Sequence, residues 1–221
     1  MDKWNWRGLL LFEAIVCAVS LFFSIAGSIA PQIVVTVPAG GLSVGSNAVL
    51  LLLGSFLPGV VLLVVSRECR SATFRLRASI GVYNTALLIG FALPFSGYLG
   101  ARFAYPPPWN SSTLPTLVRV FLINLLLSPL WEEIIWRAYF YPKVNSMLRT
   151  APAIVVAALG WTVWQAGFLF YLHHSGVRAT ILMIVVIRLF FGGIIFCSFF
   201  IMGRNSLAPC VLLHTAFNAS P

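Results

Sequence analysis

The stretch GLLLFEAIVCAVSLFFSIAGSIA, residues 8–30, contains a single charged side chain, Glu13. About twenty consecutive apolar residues are what a helix needs to cross a bilayer. The stretch is too long for the apolar core of a signal peptide, and no small-residue cleavage site before a polar domain follows it. We therefore expect a retained membrane-spanning helix.

The rest of the chain has the same apolar character. Of its 221 residues, 60% are hydrophobic and 9% are charged, and the mean hydropathy is +0.96. A soluble domain keeps about a quarter of its residues charged, so a soluble protein is excluded. The length suits one compact bundle, and we expect residues 1–221 to form a single integral membrane domain.

Further apolar runs predict additional membrane segments. They cover residues 47–66, 80–101, 114–141, 151–172, 180–202 and a short run at 207–219. Connectors rich in proline and glycine separate several of them, and the connector at 104–112 holds three consecutive prolines and a glycosylation sequon at Asn110. The predicted fold class is all-α, a polytopic transmembrane bundle of about seven segments.

The net charge of +9 comes from lysines and arginines spread over short loops. Nucleic acid is excluded as a partner because no single basic face forms. The charges instead predict topology: an N-terminus with Lys3 and Arg7, and loops with residues 67–77, 143–149 and Arg204, would all face the cytoplasm. We expect membrane lipid to be a partner and the C-terminus to lie outside.

Several polar side chains lie within the predicted spans. Charges there cost about 2.5–3.5 kcal/mol at the bilayer centre, so they normally face the bundle interior and find partners. We expect Glu13 to pair with Arg188. The complete set is Glu13, Glu132, Glu133, Arg137, Gln165, Arg188, His214 and Asn218.

The densest group lies in SPLWEEIIWRAYFYPK, residues 128–143. Glu133 and Arg137 are four residues apart on one helical face, which favours an ion pair. Glu132 points about 100° away and is left without an obvious local partner. A carboxylate at membrane depth can take a proton from water, so Glu132 is our candidate general base. The alternative is an interhelical polar clamp without chemistry.

The last segment, LAPCVLLHTAFNAS, places His214 and Asn218 four residues apart on one face. Such a pair could donate hydrogen bonds to an oxyanion, or it could join helices as packing contacts. It is a weak metal signal, because a metal site usually needs three or more good ligands. The four cysteines have no CxxC spacing and predict neither a zinc site nor disulfides. We assign no metal or cofactor.

The two motifs, E-E-x-x-x-R at 132–137 and H-x-x-x-N at 214–218, resemble those of the CPBP family of intramembrane proteases, also called the CAAX protease and bacteriocin-processing (Abi) family. The resemblance covers the second half of the chain, and residues 113–221 form this motif-bearing half. The first three spans, within residues 8–112, match only in being hydrophobic.

The chain departs from the family at the middle motif, F-x-x-x-H. The segment GWTVWQAGFLF places Trp161 at the aromatic position and Gln165 where a histidine is expected. A literal match also exists from Phe170 to His174, but it lies at the end of its span beside a polar loop. We prefer the register with Gln165.

The resemblance implies a cavity in a helical bundle where the first glutamate and the middle histidine hold the attacking water. On these positions Glu132 activates water, Glu133 and Arg137 orient the site, and His214 and Asn218 stabilise the oxyanion. A glutamine at 165 can hydrogen-bond a water but cannot accept its proton. Its presence argues for impaired activity.

Two functions of different class therefore stay open. One is an endopeptidase that acts on a membrane-anchored peptide, such as a prenylated CAAX C-terminus or a leader peptide. The other is a catalytically silent relative that binds a membrane protein partner as a subunit, assembly factor or immunity-type protein. A transporter has no support from internal repeats.

Overall fold

A computed structural model describes residues 6–29, 34–37, 42–104, 118, 121–125, 128–174 and 176–219. The described residues are almost entirely helical. Their helices are α1 Trp6–Ile29, α2 Ser46–Val65, α3 Arg67–Thr73, α4 Ile80–Ala104, α5 Pro129–Glu133, α6 Tyr141–Met147, α7 Thr150–Trp164, α8 Ala166–His174, α9 Ala179–Met202 and α10 Ala208–Ala219.

One small sheet interrupts the helical pattern. Strands β1, Val34–Val37, and β2, Leu42–Gly45, pair antiparallel with Val34 opposite Gly45. They occupy the connector between the first two helices, where β-branched residues favour an extended backbone. The predicted helical bundle is confirmed, with this hairpin as an unpredicted addition.

Three helical stretches are long and apolar enough to cross a membrane, namely Trp6–Ser28, Thr150–His174 and Ala179–Met202. The pair Leu52–Val65 and Arg67–Thr73, bent by 106°, makes a fourth if it is one broken span. The first, fifth and sixth predicted spans are thus confirmed among the described residues. The total of about seven segments stays a prediction, and the proline-rich connector with its sequon lies outside the described residues.

The fourth predicted span has an irregular helix at its end. Ser128 has non-helical angles (φ −121°, ψ −57°), and α5 begins at Pro129, where a missing N–H costs nothing. A π-helical stretch, Ile134–Phe140, then links α5 to α6. Pro142 in α6 has no N–H for the carbonyl of Ala138, and a wider turn accommodates its ring. Turns of this kind are frequent at functional sites.

The outer surface of the bundle is apolar, and its interior holds polar and charged side chains among apolar ones. Helix α9 exposes Ile181, Met183, Ile184, Ile187 and Phe191, as expected for a surface that faces lipid. The buried polar and charged side chains are Ser20, Ser24, Ser55, Glu132, Glu133, Arg137, Ser206, His214 and Thr215. The chain is therefore an integral membrane protein that buries a set of polar and charged groups between its helices.

Helix α10 packs closely against α4 at Gly90. A Cβ atom at Gly90 would lie 2.7 Å from the Leu213 carbonyl oxygen and 2.7 Å from the Ala216 Cβ. Both distances are shorter than van der Waals contact, and one partner is backbone. Glycine at position 90 therefore allows the close packing of α10, the helix that carries His214.

Gly90→Ala is expected to lower the free energy of unfolding by about 1–3 kcal/mol, since α10 must move to admit the methyl group. Gly81→Ala in the same helix is the control, because its nearest neighbour, Ser79 Oγ, would be 3.9 Å away. Thermal unfolding of both variants in detergent gives the comparison. Equal stability of the two variants would contradict the assigned packing.

Candidate active site

Glu133 is the centre of a buried charge cluster. Its side chain is fully buried, its Oε2 lies 3.2 Å from Arg137 Nε, and its Oε1 lies 2.8 Å from His214 Nδ1. The predicted ion pair with Arg137 is confirmed. The contact with His214 joins α5 to α10, which are far apart in the chain, and no local pattern could have predicted it.

Arg137 is held by aromatic rings as well as by charge. Its guanidinium carbon lies 4.9 Å from the Trp161 ring centroid and 5.1 Å from that of Phe196. Its Nη2 donates to the Gly193 carbonyl at 3.5 Å. Cation–π contacts of desolvated arginines contribute about 2 kcal/mol, so the arginine is fixed between α7 and α9.

Gly193 lets α9 approach α7 at this level. A Cβ atom there would lie 3.0 Å from the Ala158 Cα, closer than backbone atoms allow without movement. The close approach places the Gly193 carbonyl within reach of Arg137. A side chain at this position would therefore disturb the arginine that orients Glu133.

Glu132 is 6% exposed and has three hydrogen-bond donors. Ser128 Oγ donates to its Oε1, while Trp161 Nε1 at 3.1 Å and Gln165 Nε2 at 3.3 Å donate to its Oε2. The prediction that Glu132 lacks a local partner was wrong, because Ser128 lies one helical turn earlier. A carboxylate has about four acceptor positions, so three donors leave about one for a water.

Gln165 sits at the break between α7 and α8 and is half-buried. Its amide reaches Glu132 from the one residue that separates these two helices. His174 instead stacks on Phe170, 6.3 Å between ring centroids, and is exposed at the end of α8 with His173. The structure therefore brings Gln165, and neither histidine, to the glutamates.

His214 is oriented by two rings and one carboxylate. It stacks on Phe196 with centroids 4.6 Å apart and meets Trp161 edge-on at 5.7 Å. If Nδ1 donates to Glu133, then Nε2 can donate only when the ring is positively charged.

Asn218 lies one turn after His214 on α10, as predicted, but it is exposed. No hydrogen bond joins it to another residue that the structure describes. Five of the six predicted site residues thus come together, and Asn218 stays at the margin. The neighbouring Thr215 is fully buried with an unpartnered hydroxyl, a polar group that the sequence analysis did not select.

The predicted pair of Glu13 and Arg188 does not form. The Arg188 guanidinium carbon lies 4.0 Å from the Phe217 ring centroid, and Glu13 Oε1 accepts a hydrogen bond from Cys17 Sγ at 3.5 Å. The reason is helix order, since α1 packs on α2, α7 and α8 whereas α9 packs on α7 and α10. Glu13 therefore faces Gly160 of α7.

The donor set does not fit a metal ion. Within the described part of the chain, no three His, Cys, Asp or Glu side chains converge on one point. Glu133 faces a guanidinium, and the oxygens of Glu132 face N–H and O–H donors. Nothing in the site is arranged around a cation other than Arg137.

A sequence model of the family described as Type II CAAX prenyl endopeptidase Rce1-like matches residues 114–220. A comparison with curated proteins finds no match to the chain. The matched range contains Glu132, Glu133, Arg137, Gln165 and His214, the same residues that the fold brings together. Over these residues, the chain is similar to a family of CAAX-protease-like membrane endopeptidases.

Proposed function

We propose that the protein is an intramembrane endopeptidase of the CAAX protease type in which Glu132 activates the attacking water. One observation carries the proposal: a nearly buried carboxylate is held by Ser128, Trp161 and Gln165 with about one acceptor position left. A positioned carboxylate of this kind is the usual general base for water. The family match supports the same reaction class.

The reaction begins with a water that donates one hydrogen bond to Glu132. As its oxygen attacks the peptide carbonyl carbon, its proton passes to the Glu132 carboxylate and the carbonyl oxygen becomes an oxyanion. The protonated Glu132 then gives that proton to the leaving amine nitrogen as the C–N bond breaks. Glu132 returns to its ionised state, and two peptide ends are released.

His214 is our candidate donor to the oxyanion. Its Nδ1 contact with Glu133 fixes the ring, and Nε2 donates to the oxyanion when it carries a proton. Asn218, one turn further along α10, is the second candidate donor. An oxyanion donor contributes about 2.7–4 kcal/mol in enzymes of this general type.

The substrate that suits this site is a peptide anchored in the membrane. The catalytic cluster is enclosed by apolar helices, and the matched family is described as Type II CAAX prenyl endopeptidase. We propose a prenylated CAAX C-terminus as the substrate class, with a leader peptide as the alternative. The N-terminus is proposed to lie in the cytoplasm, as the loop charges predict.

Gln165 favours a second candidate function. Its amide donates directly to Glu132 at the position where the preferred motif register expects a histidine, and an amide cannot carry a proton between water and leaving group. A chain with this substitution could retain the fold and bind a membrane protein partner without cleavage. Such a silent relative would act as a subunit, assembly factor or immunity-type protein.

Glu132→Gln is expected to lower cleavage of a prenylated CAAX peptide by at least about 10²-fold, because the base is removed. The variant keeps its shape, since a glutamine nitrogen can donate to Ser128 while its oxygen accepts from Trp161 and Gln165. Rates are measured with the full chain in nanodiscs. Glu68→Gln, a carboxylate that is 65% exposed on α3, is the control.

Equal rates for the native chain and Glu132→Gln would remove Glu132 from the mechanism. No cleavage by the native chain, with intact folding and a substrate that an active relative cuts, would favour the silent candidate. Cleavage that is lost in Glu132→Gln and kept in Glu68→Gln would support the peptidase.

A further inference from the structure

A large cavity lies away from the glutamates, where α3 and α6 meet the turn between α9 and α10. Its volume is about 890 Å³, within the size range of small-molecule sites. Tyr141 and Phe200 contribute apolar surface, and Arg67, Arg75 and Lys143 contribute charge. None of Glu132, Glu133, Gln165 and His214 lines it, so the cavity is separate from the candidate active site.

The charge of this cavity is positive. Glu68, its acidic residue, is already paired with Lys143 at 2.8 Å. Arg75 is held by Ser71 Oγ at 3.0 Å, and the Arg67 side chain is exposed. Among the residues that the structure describes, no carboxylate therefore pairs with the guanidinium of Arg67 or Arg75. The planar guanidinium matches two phosphate oxygens at once.

A strained turn builds one wall of the cavity. Arg204 and Asn205 both have a left-handed backbone, with φ of 57° and 60°, which residues other than glycine seldom adopt. The turn is tied to the segment after α3, since Ser206 Oγ donates to the Arg75 carbonyl and Leu207 N donates to the Ala72 carbonyl at 3.2 Å. The wall is thus fixed by the protein's own bonds.

Three loops that the charge pattern places on the same side of the membrane meet at this cavity. They are the loop with residues 67–77, the loop with 143–149 and the turn with Arg204. The surface potential of a leaflet rich in anionic lipid attracts such basic groups. The cavity therefore lies where the headgroups of that leaflet would be.

Apolar side chains next to the arginines favour a lipid over a soluble phosphate. Phe74 and Leu76 are 74% and 76% exposed on either side of Arg75. A second hollow of about 330 Å³, lined by apolar residues including Leu76, begins at the same segment. Exposed apolar and basic residues in alternation are typical of segments that lie in the bilayer interface.

We propose that this cavity binds the phosphate of an anionic phospholipid through Arg67 and Arg75, with the acyl chains passing along Phe74 and Leu76. The site is independent of peptide cleavage. Its role is to hold α3, α6 and the turn before α10 together at the membrane surface. Zwitterionic lipids of the same chain length bind more weakly because the guanidinium charges stay uncompensated.

The test uses the full chain in detergent with short-chain phosphatidylglycerol as the probe, and follows the shift of the unfolding temperature with lipid concentration. Short-chain phosphatidylcholine and glycerol 3-phosphate are the comparison ligands. Arg67→Gln with Arg75→Gln is expected to weaken phosphatidylglycerol binding by about tenfold to thirtyfold. Arg7→Gln with Arg178→Gln removes the same charge from exposed positions outside the cavity. This control is expected to change phosphatidylglycerol binding less than twofold.

An equal loss in both double variants would show attraction to overall charge and would overturn the site. Equal binding of glycerol 3-phosphate would assign the cavity to soluble phosphate esters and overturn the assignment of a phospholipid as its ligand. Because Ser71 anchors Arg75, the Arg67→Gln single variant gives a second measurement if the double variant does not fold. No weakening in that variant would also contradict the proposal.

Discussion

Gln165→His is expected to raise the rate of peptide cleavage by about 10²- to 10⁴-fold, the usual contribution of a positioned acid or base. The Gln165 amide nitrogen lies 3.3 Å from Glu132 Oε2, so an imidazole at this position starts within hydrogen-bonding reach of the carboxylate. Unlike the amide, it can accept and return a proton near physiological pH. The position is half-buried at a helix break.

Single-turnover cleavage of a prenylated CAAX peptide in nanodiscs measures this gain. Gln165→Asn is the matched control, because it keeps an amide and adds no group that titrates. A gain in both variants would indicate a change of shape and not of proton transfer. An active native chain whose rate does not change in Gln165→His would show that the glutamine already meets the needs of the reaction.

Arg137→Met is expected to lower the free energy of unfolding by about 3–5 kcal/mol, since it leaves the buried Glu133 carboxylate without its guanidinium. The side chain is fully buried and also contacts Trp161 and Phe196. Methionine preserves most of the aliphatic volume, so the loss measures charge more than packing. Unfolding in detergent, followed by tryptophan fluorescence, gives the value.

The exposed ion pair between Lys143 and Glu68 provides the comparison. Its side chains are 16% and 65% exposed, and exposed pairs contribute about 0–1 kcal/mol, so Lys143→Met should have a small effect. Adding Glu133→Gln to Arg137→Met should recover much of the lost stability, because the unpaired charge is then removed. Equal losses for Arg137→Met and Lys143→Met would refute the assigned burial of the charge cluster.

Local periodicity could predict the Glu133–Arg137 pair, since both residues lie on one helix four positions apart. The His214 contact depends on how α10 docks against α4 at Gly90 and could not be read from spacing. The partners of Glu132 were also only partly predictable from spacing. Its Trp161 and Gln165 donors come from another helix, whereas Ser128, at the i−4 position, was available from the sequence and was missed.

Hydropathy predicted the long spans well because apolar length is itself the physical requirement for crossing a bilayer. It could not predict the breaks inside them. These breaks are changes in backbone hydrogen bonding, which hydropathy does not record. They lie at Gln165, at the non-helical Ser128 and in the wide turn over 134–140. The pairing of Glu13 with Arg188 failed for a related reason, since complementary charge does not determine which helices are neighbours.

Glu133 and His214 are far apart in the chain, and this separation sets the order in which the site is assembled during synthesis. Arg137 leaves the ribosome immediately after Glu133, so that half of the cluster is compensated as soon as its helix enters the membrane. His214 follows 81 residues later, a delay of roughly 4–16 s at translation rates of about 5–20 residues per second. In the nascent chain, Glu133 therefore enters the membrane before His214 is present to contact it. The docking of α10 is the step that converts an inserted bundle into a complete charge cluster.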